Sequence, residues 1–292
     1  MADDTPPSTP PSYGFTDDEL AALPTVFAPD LFRGKVVAVS GAGTGIGRGI
    51  AFLFARLGAR LAICGRRGAL LEELAQSLER YSTECFAQAM SIREPEAVED
   101  FLAGAEDALG PLDVLVNNAG GQFPQNALDF TVKGWNAVID TNLNGTWYMM
   151  QTAAKRWRDQ GRPGVIVNVI ADFWRGMPQI AHTCAARAGV AYLSKSVAVE
   201  WAPLDIRVNC VAPGAIETTA FAYYPPEGSA TFAHANPKLT VGDVNDIAEA
   251  CVYLAAPSGK FVTGEVLTVD GGQQLWGAMW PAGKPDAFKI PE

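Results

Sequence analysis

The sequence predicts a single-domain α/β fold, in which helices cover both faces of a doubly wound parallel sheet. Short, continuous apolar runs alternate with stretches of helical spacing, and such runs are typical of parallel strands that are buried on both faces. Hydrophobic residues make up 48% of the 292 residues, which is enough to fill a large core. A sheet of this kind binds ligands in crevices at the carboxyl ends of its strands.

Six apolar runs are predicted to form the strands. In chain order they are residues 35–39, 61–64, 114–116, 164–168, 206–211 and 266–269. The first helix of the body is predicted over 48–57, because its apolar residues, from Ile50 to Leu57, recur at helical spacing. A second helix is predicted over 68–81, and helical stretches separate the later strands.

The two ends of the chain are predicted to differ from the body. Residues 1–30 hold six of the 20 prolines and are expected to form a proline-rich extension. Within it, Thr16 and Glu19 have the spacing of a capping box, so a short helix is expected there, docked on the body at 31–275. Residues 276–292 form a C-terminal tail that is expected to pack on a neighbouring subunit or to close the pocket.

Charge and composition exclude several classes of partner. The 22 basic and 32 acidic residues give a net charge of −10, which disfavours binding to nucleic acid or to an anionic membrane. No apolar run reaches the roughly 18 residues of a membrane-spanning helix, and no basic residue precedes Arg33 as a signal peptide would require. Five cysteines without C-x-x-C spacing and only two histidines predict neither a disulfide framework nor a metal site. We therefore expect a cytoplasmic protein that acts on a small molecule.

A glycine-rich turn between the first strand and the first helix of the body predicts a dinucleotide site. Glycines let the backbone approach a phosphate closely, and the following helix offers free N–H groups and the positive end of its dipole. A glycine turn without a ligand is the competing interpretation. The residues expected at the cofactor are Gly41, Gly43, Thr44, Gly45, Ile46 and Gly47.

The end of the second strand predicts which nicotinamide cofactor binds. An NAD site places an acidic residue there to hold the ribose hydroxyls. This strand is followed instead by Arg66 and Arg67, whose guanidinium groups suit a 2′-phosphate. The sequence therefore favours NADP(H), although two solvated arginines at a helix start would look the same.

Further motifs follow the glycine turn in a fixed order. They are Asn117-Asn118-Ala119-Gly120, Asn142 within 140–145, and Pro213-Gly214. With the glycine turn they resemble the short-chain dehydrogenase/reductase family over about residues 30–275. The resemblance implies a single Rossmann-like domain, a frequent homotetramer, and a cofactor held across the strand ends. It adds these residues to the expected cofactor site: Ser91, Ile92, Asn117, Asn118, Ala119, Gly120, Arg187, Pro213, Gly214 and Ile216.

The catalytic residues of that family carry over only in part. At the family's Tyr-x-x-x-Lys positions this chain has Thr183 and Arg187, and the family's serine position falls at 170–171, where no side chain has a hydroxyl. Asn142 remains. Tyr192 and Lys195 have the wrong spacing and lie a turn too late, so they are interpreted as ordinary helix residues. The expected catalytic residues are Asn142, Thr183 and Arg187.

The absence of the family's catalytic tyrosine affects which reaction the site can catalyse. Ketone reduction makes an alkoxide that needs a proton at once, whereas threonine is a very weak acid and arginine stays charged. Hydride addition to a carbon–carbon double bond conjugated with a thioester gives a delocalised enolate, which needs hydrogen-bond donors more than immediate protonation. Segments 120–123, 182–190 and 198–201 are similar to peroxisomal trans-2-enoyl-CoA and 2,4-dienoyl-CoA reductases, which are NADPH-dependent and lack the usual Tyr-x-x-x-Lys.

Aromatic residues predict an apolar substrate pocket. Residues 215–240 follow the Pro-Gly turn and are expected to cover it. Its expected lining is Phe123, Asp172, Phe173, Trp174, Phe221, Tyr223 and Tyr224. Two replacements for the missing proton donor stay open: a tyrosine at 223 or 224, or Asp172 if burial raises its pKa. His182 is interpreted as a structural hydrogen-bonding residue.

The sequence is compatible with three functions. The first is NADPH-dependent reduction of a conjugated double bond in an enoyl- or dienoyl-CoA-like substrate. The second is a carbonyl reductase or alcohol dehydrogenase with a rebuilt proton relay. The third is a dinucleotide-binding protein without activity, which the complete glycine turn and the retained Asn142 disfavour.

Overall fold

A seven-stranded parallel sheet forms the centre of the molecule, with the strand order β3-β2-β1-β4-β5-β6-β7. The computed structural model describes residues 13–223, 226–229 and 231–275. The chain builds outward from β1 to β3 and then crosses back to place β4 on the other side of β1. This reversal of direction opens a crevice at the carboxyl ends of β1 and β4, as expected for a doubly wound sheet. The predicted fold class is confirmed.

The six predicted strands are present, and the structure adds a seventh. The strands are β1 Val36–Ser40, β2 Arg60–Gly65, β3 Cys85–Ala89, β4 Val114–Asn117, β5 Gly164–Val169, β6 Ile206–Pro213 and β7 Val266–Val269. The prediction of six strands was therefore wrong at β3. This strand pairs only with β2 and lies at the sheet edge, where half-buried and exposed side chains alternate. It lacks the continuous apolar run by which the central strands are recognised.

Helices cover both faces of the sheet. They are α1 Asp17–Ala22, α2 Gly45–Arg56, α3 Gly68–Leu78, α4 Pro95–Leu109, α5 Val132–Ile139, α6 Thr146–Gln160, α7 Ala181–Trp201, α8 Pro226–Ser229 and α9 Val244–Ala255. The first helix of the body begins at Gly45, earlier than predicted, because the glycine turn contributes its first turn. The second predicted helix ends as an α-helix at Leu78 and continues as a single 3₁₀ turn.

Helices pack closely on both faces of the sheet and exclude solvent from it. On one face, α2 lies directly against α9, and a Cβ on Gly49 would stand 2.8 Å from Val244 Cγ2. On the other face, Trp157 of α6 is fully buried, and its indole N–H donates to Leu112 O over 2.7 Å. In the part of the chain that the structure describes, no helix is both long and apolar enough to span a membrane.

A short helix docks the N-terminal part of the chain on the body, as the sequence predicts. Thr16 and Glu19 form the complete capping box of α1, and Leu20 is buried against the core. The guanidinium of Arg56, on α2, donates to the carbonyl oxygens of Leu20 and Leu23. Residues 13–23, which we call the N-terminal segment, thus lie against the side of the body that carries the glycine turn.

Candidate active site

A cavity of about 310 Å³ lies across the carboxyl ends of β1 to β4. The glycine turn after β1 forms its floor, and the residues that follow β2, β3 and β4 form its walls. Most of the residues predicted to bind the cofactor line it: Gly41, Gly43, Thr44, Gly45, Ile46, Arg66, Arg67, Ser91, Ile92, Asn118, Ala119 and Gly120.

The glycines of the turn are required for two different reasons. Gly41 has a φ of +68°, and a Cβ there would lie 2.8 Å from the Cα of Ala119, so the backbone of the turn after β4 approaches it closely. Gly47 does not line the cavity. A Cβ at Gly47 would collide with the carbonyl oxygen of Gly41, so this glycine lets α2 pack against the turn.

Hydrogen bonds hold the turn after β4 against the glycine turn. The hydroxyl oxygen of Ser40 accepts from the backbone N–H groups of Asn118 and Ala119 over 3.1 and 3.0 Å. In return, the side-chain amide of Asn118 donates to the carbonyl oxygens of Ser40 and Gly41. Asn117 lies deeper than predicted and does not reach the cavity wall. Its amide donates to Asn168 Oδ1 within the sheet, so its role is structural.

Arginines lie at the rim of the cavity. Arg66 and Arg67 are exposed, and Arg67 Nη2 donates to Thr44 Oγ1 over 3.1 Å. Arg93 also lines the cavity, where the hydroxyl of Thr141 and the carbonyl oxygen of Ala137 hold its guanidinium. Three arginines therefore line the cavity, and the guanidinium of Arg67 contacts the hydroxyl of Thr44.

Sequence reasoning missed part of the lining. The additional residues are Gly65, Leu71, Met90, Arg93, Thr141, Thr218, Thr219 and Ala220. Met90 and Arg93 flank Ser91 and Ile92, which only the family resemblance placed at the cofactor, because no local pattern indicated the preceding strand. The threonines at 218 and 219 lie in segment 215–240, which was expected to cover the pocket, and that position was the available signal for them.

Asn142 and Thr183 form a buried pair behind the cavity. Asn142 lies in a π-helical turn, Asp140–Gly145, that joins α5 to α6. Its Nδ2 donates to Thr183 Oγ1 and to the carbonyl oxygen of Gly121, each over 2.9 Å, and its Oδ1 accepts from the N–H of Gly121. Both amide hydrogens are thus used within the protein. Because Thr183 Oγ1 accepts from Asn142, its own hydrogen can be donated elsewhere.

The guanidinium of Arg187 lies next to this pair. Its Nη1 donates to the carbonyl oxygen of Val169 at the end of β5, and a Cβ on Gly120 would collide with its Nη2. Its Nε is enclosed and has no hydrogen-bond partner among the described residues, and none of their carboxylates lies within ion-pair distance. Burial lowers the pKa of Arg187 from 12.5 to about 10, so it stays charged at neutral pH.

His182 is packed as a structural residue. Its ring stacks on Phe130 at 4.5 Å and meets the edge of Phe123 at 4.7 Å, and its Nδ1 accepts from the N–H of Thr183. That acceptor role places the proton of the neutral ring on Nε2, which has no partner among the described residues. The contact with His182 also places Phe123, one of the predicted pocket residues, against the first turn of α7.

Asp172, which follows β5, is an acidic residue at the edge of the sheet where the strands have their carboxyl ends. Asp172 is buried, and its N–H donates to the carbonyl oxygen of Pro213. Burial, and then the negative charge of Asp270, raise the pKa of the Asp172 carboxyl above its usual range. Phe173 is buried and packs on the half-exposed ring of Trp174 at 4.6 Å.

The residues that follow β6 pack against the end of β7 and against Gly242. Gly214 lies so close to the last strand that a Cβ would stand 2.7 Å from the Cα of Asp270. Ile216 pairs with Gly242 in an isolated parallel bridge. The cofactor cavity does not extend to Pro213, Gly214 and Ile216, which were predicted to line it. Gly120 and Thr218 are among its lining residues.

The aromatic residues of segment 215–240 are placed in part. Phe221 is buried between the rings of Tyr13 and Phe232. The side chain of Tyr223 and the whole of Tyr224 lie outside the described residues. Tyr192 and Lys195 are exposed on α7, with the Lys195 Nζ 5.3 Å from the Tyr192 ring centre, which agrees with their interpretation as ordinary helix residues.

Neither metal chemistry nor a disulfide framework has a basis in the described side chains. No group of three or more histidine, cysteine, aspartate or glutamate residues among them could hold a metal ion. All five cysteines are free, and three of them are buried. Burial raises the pKa of Cys64 to about 12, so this thiol is not reactive at neutral pH.

Similarity to known proteins agrees with this geometry. Residues 41–274 match the family described as Enoyl-(Acyl carrier protein) reductase. A probable 2,4-dienoyl-CoA reductase of Bacillus subtilis (strain 168) is 35% identical over 246 residues, which are 82% of this chain and 97% of that protein. The peroxisomal 2,4-dienoyl-CoA reductase of Rattus norvegicus is 36% identical over 267 residues, 89% of this chain and 90% of that protein.

A solved structure shows the same fold. The citronellol catabolism dehydrogenase of Pseudomonas aeruginosa PAO1 superposes with a TM-score of 0.76 and 34% identity, covering 86% of this chain and 99% of that chain. The sheet order, the glycine turn and the retained Asn142 agree with these similarities. The chain belongs to the enoyl-(acyl carrier protein) reductase family of short-chain dehydrogenases/reductases, which are oxidoreductases that use nicotinamide dinucleotides.

Proposed function

We propose that this protein is an NADPH-dependent reductase of a carbon–carbon double bond conjugated with a carbonyl, in an enoyl- or dienoyl-CoA-like substrate. The observation that carries the proposal is the Asn142–Thr183–Arg187 group. It offers a hydroxyl hydrogen and a cation that has no carboxylate partner in the described part of the chain, but no good acid. The names of the relatives from Bacillus subtilis and Rattus norvegicus support this class of substrate.

The cavity fits a nicotinamide dinucleotide. Its floor is a glycine turn whose close packing side chains at Gly41 or Gly47 would disrupt, and the N-terminus of α2, which begins at this turn, has no side-chain cap. The exposed guanidinium groups of Arg66 and Arg67 at the end of β2 would hold a 2′-phosphate, with the Thr44 hydroxyl beside them. When bound, NADPH would supply the hydride.

The catalytic task of the chain is to hold negative charge on the substrate. Thr183 accepts from Asn142, which leaves its own hydrogen free, and in this proposal the hydroxyl donates to the carbonyl oxygen of a bound thioester. Arg187 places a positive charge close to it, and such a charge has a larger effect in an enclosed site than in water. Together these groups would stabilise the enolate oxygen that develops as the double bond is reduced.

The same groups are poor at completing a ketone reduction. A threonine hydroxyl does not give up its proton near neutral pH, and Arg187, with a pKa of about 10, remains charged and cannot relay one. An enolate does not need a proton at the moment of reduction, so its carbon can be protonated afterwards by water. The chemistry available in this site therefore matches a conjugated double bond better than a ketone.

A panel of substrates tests the proposal. NADPH oxidation is followed with a 2,4-dienoyl-CoA, with crotonyl-CoA, and with ketones and aldehydes of similar length. We expect turnover of one or both acyl thioesters and little turnover of the carbonyl compounds. Turnover restricted to ketones or aldehydes would contradict the proposal. Tight NADPH binding without turnover of any substrate would favour a dinucleotide-binding protein without activity.

Asp172 favours a second candidate function. It is a buried acid at the carboxyl edge of the sheet, and burial together with Asp270 raises its pKa. A carboxyl group that keeps its proton can protonate an alkoxide, as a carbonyl reductase requires. The dehydrogenase from Pseudomonas aeruginosa PAO1 is a relative whose name fits this alternative. In that case the product would be an alcohol rather than a saturated carbonyl compound.

A further inference from the structure

The N-terminal segment lies between two parts of the chain that face the cofactor cavity. On one side it contacts the glycine turn and the start of α2, and on the other it contacts segment 215–240. A second cavity of about 350 Å³ lies beneath it. The walls of this second cavity include Gly43, Thr44 and Gly45, and also Thr218 and Thr219, all of which line the cofactor cavity as well.

An ion pair connects the segment to the glycine turn. Asp17 Oδ1 and Oδ2 accept from Nε and Nη2 of Arg48, each over 2.6 Å, and the side chain of Arg48 is only 11% exposed. Nη1 of the same guanidinium donates to the carbonyl oxygen of Gly43 over 3.2 Å. Nη2 also donates to Glu73 Oε1 over 3.0 Å, but Asp17 is the bidentate partner. By fixing the plane of the guanidinium, Asp17 helps to direct the hydrogen bond from Nη1 to the floor of the cofactor cavity.

A second set of contacts connects the segment to residues 215–240. The N–H of Gly14 donates to Glu217 Oε1 over 3.1 Å, and the ring of Tyr13 meets that of Phe221 at 5.8 Å. Gly14 has a φ of +79°, and a Cβ there would stand 3.3 Å from the backbone nitrogen of Thr219. The segment therefore approaches the backbone at 218–219, where the opposite wall of the cofactor cavity begins.

The contact of Asp17 is distinct from those that only fasten α1 to the body. Asp18, the next residue, pairs with Arg80, and its side chain is 90% exposed. Arg56 holds the end of α1 through Leu20 and Leu23, away from the glycine turn. Of these three contacts, the Asp17–Arg48 pair is the one that continues into a cavity-lining residue.

We propose that Asp17 and Arg48 are positioning residues for the cofactor, and that the N-terminal segment forms part of the cofactor site by holding the glycine turn in its binding conformation. The inference rests on the proposed dinucleotide site but not on the identity of the reduced bond. It predicts that the segment affects the affinity for NADPH more than the rate of the chemical step.

Direct binding of NADPH to the full chain tests this inference. The dissociation constant is measured by the fluorescence of NADPH for the parent protein and for Asp17→Asn, Asp17→Glu, Arg48→Lys and Asp18→Asn. Asp18→Asn is the matched control, because it removes the same charge from the same helix turn. Thermal unfolding of each variant identifies the temperature range in which all of them are folded. Amide hydrogen exchange across the glycine turn reports on its positioning without any substrate.

The expected pattern separates positioning from general stability. Asp17→Asn and Arg48→Lys should raise the dissociation constant about three- to tenfold, as loss of one charge-assisted hydrogen bond would. They should also speed exchange in the turn and leave the kcat on the best substrate within about twofold. Asp17→Glu should restore most of the affinity, and Asp18→Asn should leave it unchanged.

Several results would overturn the inference. One is an unchanged dissociation constant in Asp17→Asn and Arg48→Lys, and another is an equal loss of affinity in Asp18→Asn. A parent protein that binds no NADPH would remove the cofactor site and this inference with it. A parent protein that binds NADPH but reduces a ketone would contradict only the proposed reaction, and the binding measurements would still decide the role of Asp17.

Discussion

The side-chain amide of Asn142 donates a 2.9 Å hydrogen bond to the hydroxyl oxygen of Thr183, and both residues are buried. The other amide hydrogen of Asn142 goes to the carbonyl oxygen of Gly121, so this asparagine has no hydrogen left for a ligand. In the proposed reaction Asn142 would therefore act on the substrate through Thr183, whose hydroxyl is left to donate. Thr183 would stabilise charge there rather than act as an acid.

The hydroxyl of Thr183 should be required for the chemical step. Thr183→Val keeps the shape of the side chain but removes the donor, so we expect the single-turnover rate to fall about 10- to 100-fold, with NADPH affinity nearly unchanged. Thr183→Ser, which keeps the hydroxyl, is the control and should retain most of the rate. A Thr183→Val protein as fast as the parent would exclude this role.

Loss of the hydroxyl should also cost stability. In Thr183→Val the second hydrogen of the Asn142 amide would be buried without an acceptor, which costs about 1–3 kcal/mol. The thermal unfolding midpoint of the variant is therefore measured alongside its rate. A stability cost without a rate change would mean that Thr183 only satisfies Asn142.

The two arginines after β2 should determine the choice of cofactor. Arg66→Ala combined with Arg67→Ala should reduce the preference for NADPH over NADH by about one to a few kcal/mol, the value of one or two charge-assisted hydrogen bonds. The comparison uses kcat/KM for both cofactors. Arg158→Ala, at an exposed arginine of α6 that pairs with Asp159 and does not line the cavity, is the control for loss of a surface arginine. Equal efficiency of NADH and NADPH in the parent protein would contradict this assignment.

Arg187 should act on both binding and chemistry. Arg187→Met removes the positive charge beside Thr183, so the dissociation constant of NADPH should rise and the hydride-transfer step should slow together. In Arg187→Lys the charge is kept at neutral pH. The same burial that lowers the pKa of Arg187 to about 10 should lower that of the lysine, so its rate should fall on the alkaline side. A pH–rate profile of Arg187→Lys identical to that of the parent would contradict this environment.

The Asp17–Arg48 pair should make the free energy of unfolding depend on pH in the acidic range. Burial by itself would raise the pKa of Asp17, but the hydrogen bonds from Arg48 and Ser77 and the nearby positive charges outweigh it, so the pKa lies below 3.8. A carboxyl with a lowered pKa stabilises the fold above its unfolded-state pKa, and this stabilisation is lost as the pH falls through the folded-state pKa.

Chemical unfolding at several pH values tests this dependence. Asp17→Asn should be less stable than the parent near pH 6, and the two should converge as the pH falls below 3.8. Asp17 is partly exposed, so the difference should be modest and should shrink in high salt. A difference that stays constant down to the lowest pH would show that the charge of Asp17 does not contribute.

Local sequence pattern was sufficient for most of the fold and for the floor of the cofactor cavity. The central strands are continuous apolar runs, and the glycine turn follows the first of them. By contrast, β3 could not be recognised, because its edge position leaves alternate side chains exposed. Arg93 was also missed, although the family resemblance placed its neighbours Ser91 and Ile92 at the cofactor.

The arrangement of the catalytic group could be predicted only in part. The positions of Thr183 and Arg187 followed from their alignment with a known motif. Their geometry depends on contacts distant in sequence. The π-helical turn at Asp140–Gly145 brings Asn142 to Thr183, and the end of β5 supplies the carbonyl oxygen that holds Arg187. Among the described residues Arg187 has no acidic partner, and this too is a property of the assembled site, since 32 acidic residues are available in the chain.

The fate of the hydride tests the central claim most directly. The protein is supplied with NADPH that carries deuterium at both hydrogens of the reactive ring carbon, together with a conjugated acyl thioester, and with an enone in a parallel reaction. Mass spectrometry and NMR then locate the deuterium in the product. We expect it on a newly saturated carbon, with the carbonyl group intact. Deuterium on a carbinol carbon, with the carbon–carbon double bond retained, would contradict the account and identify the protein as a carbonyl reductase.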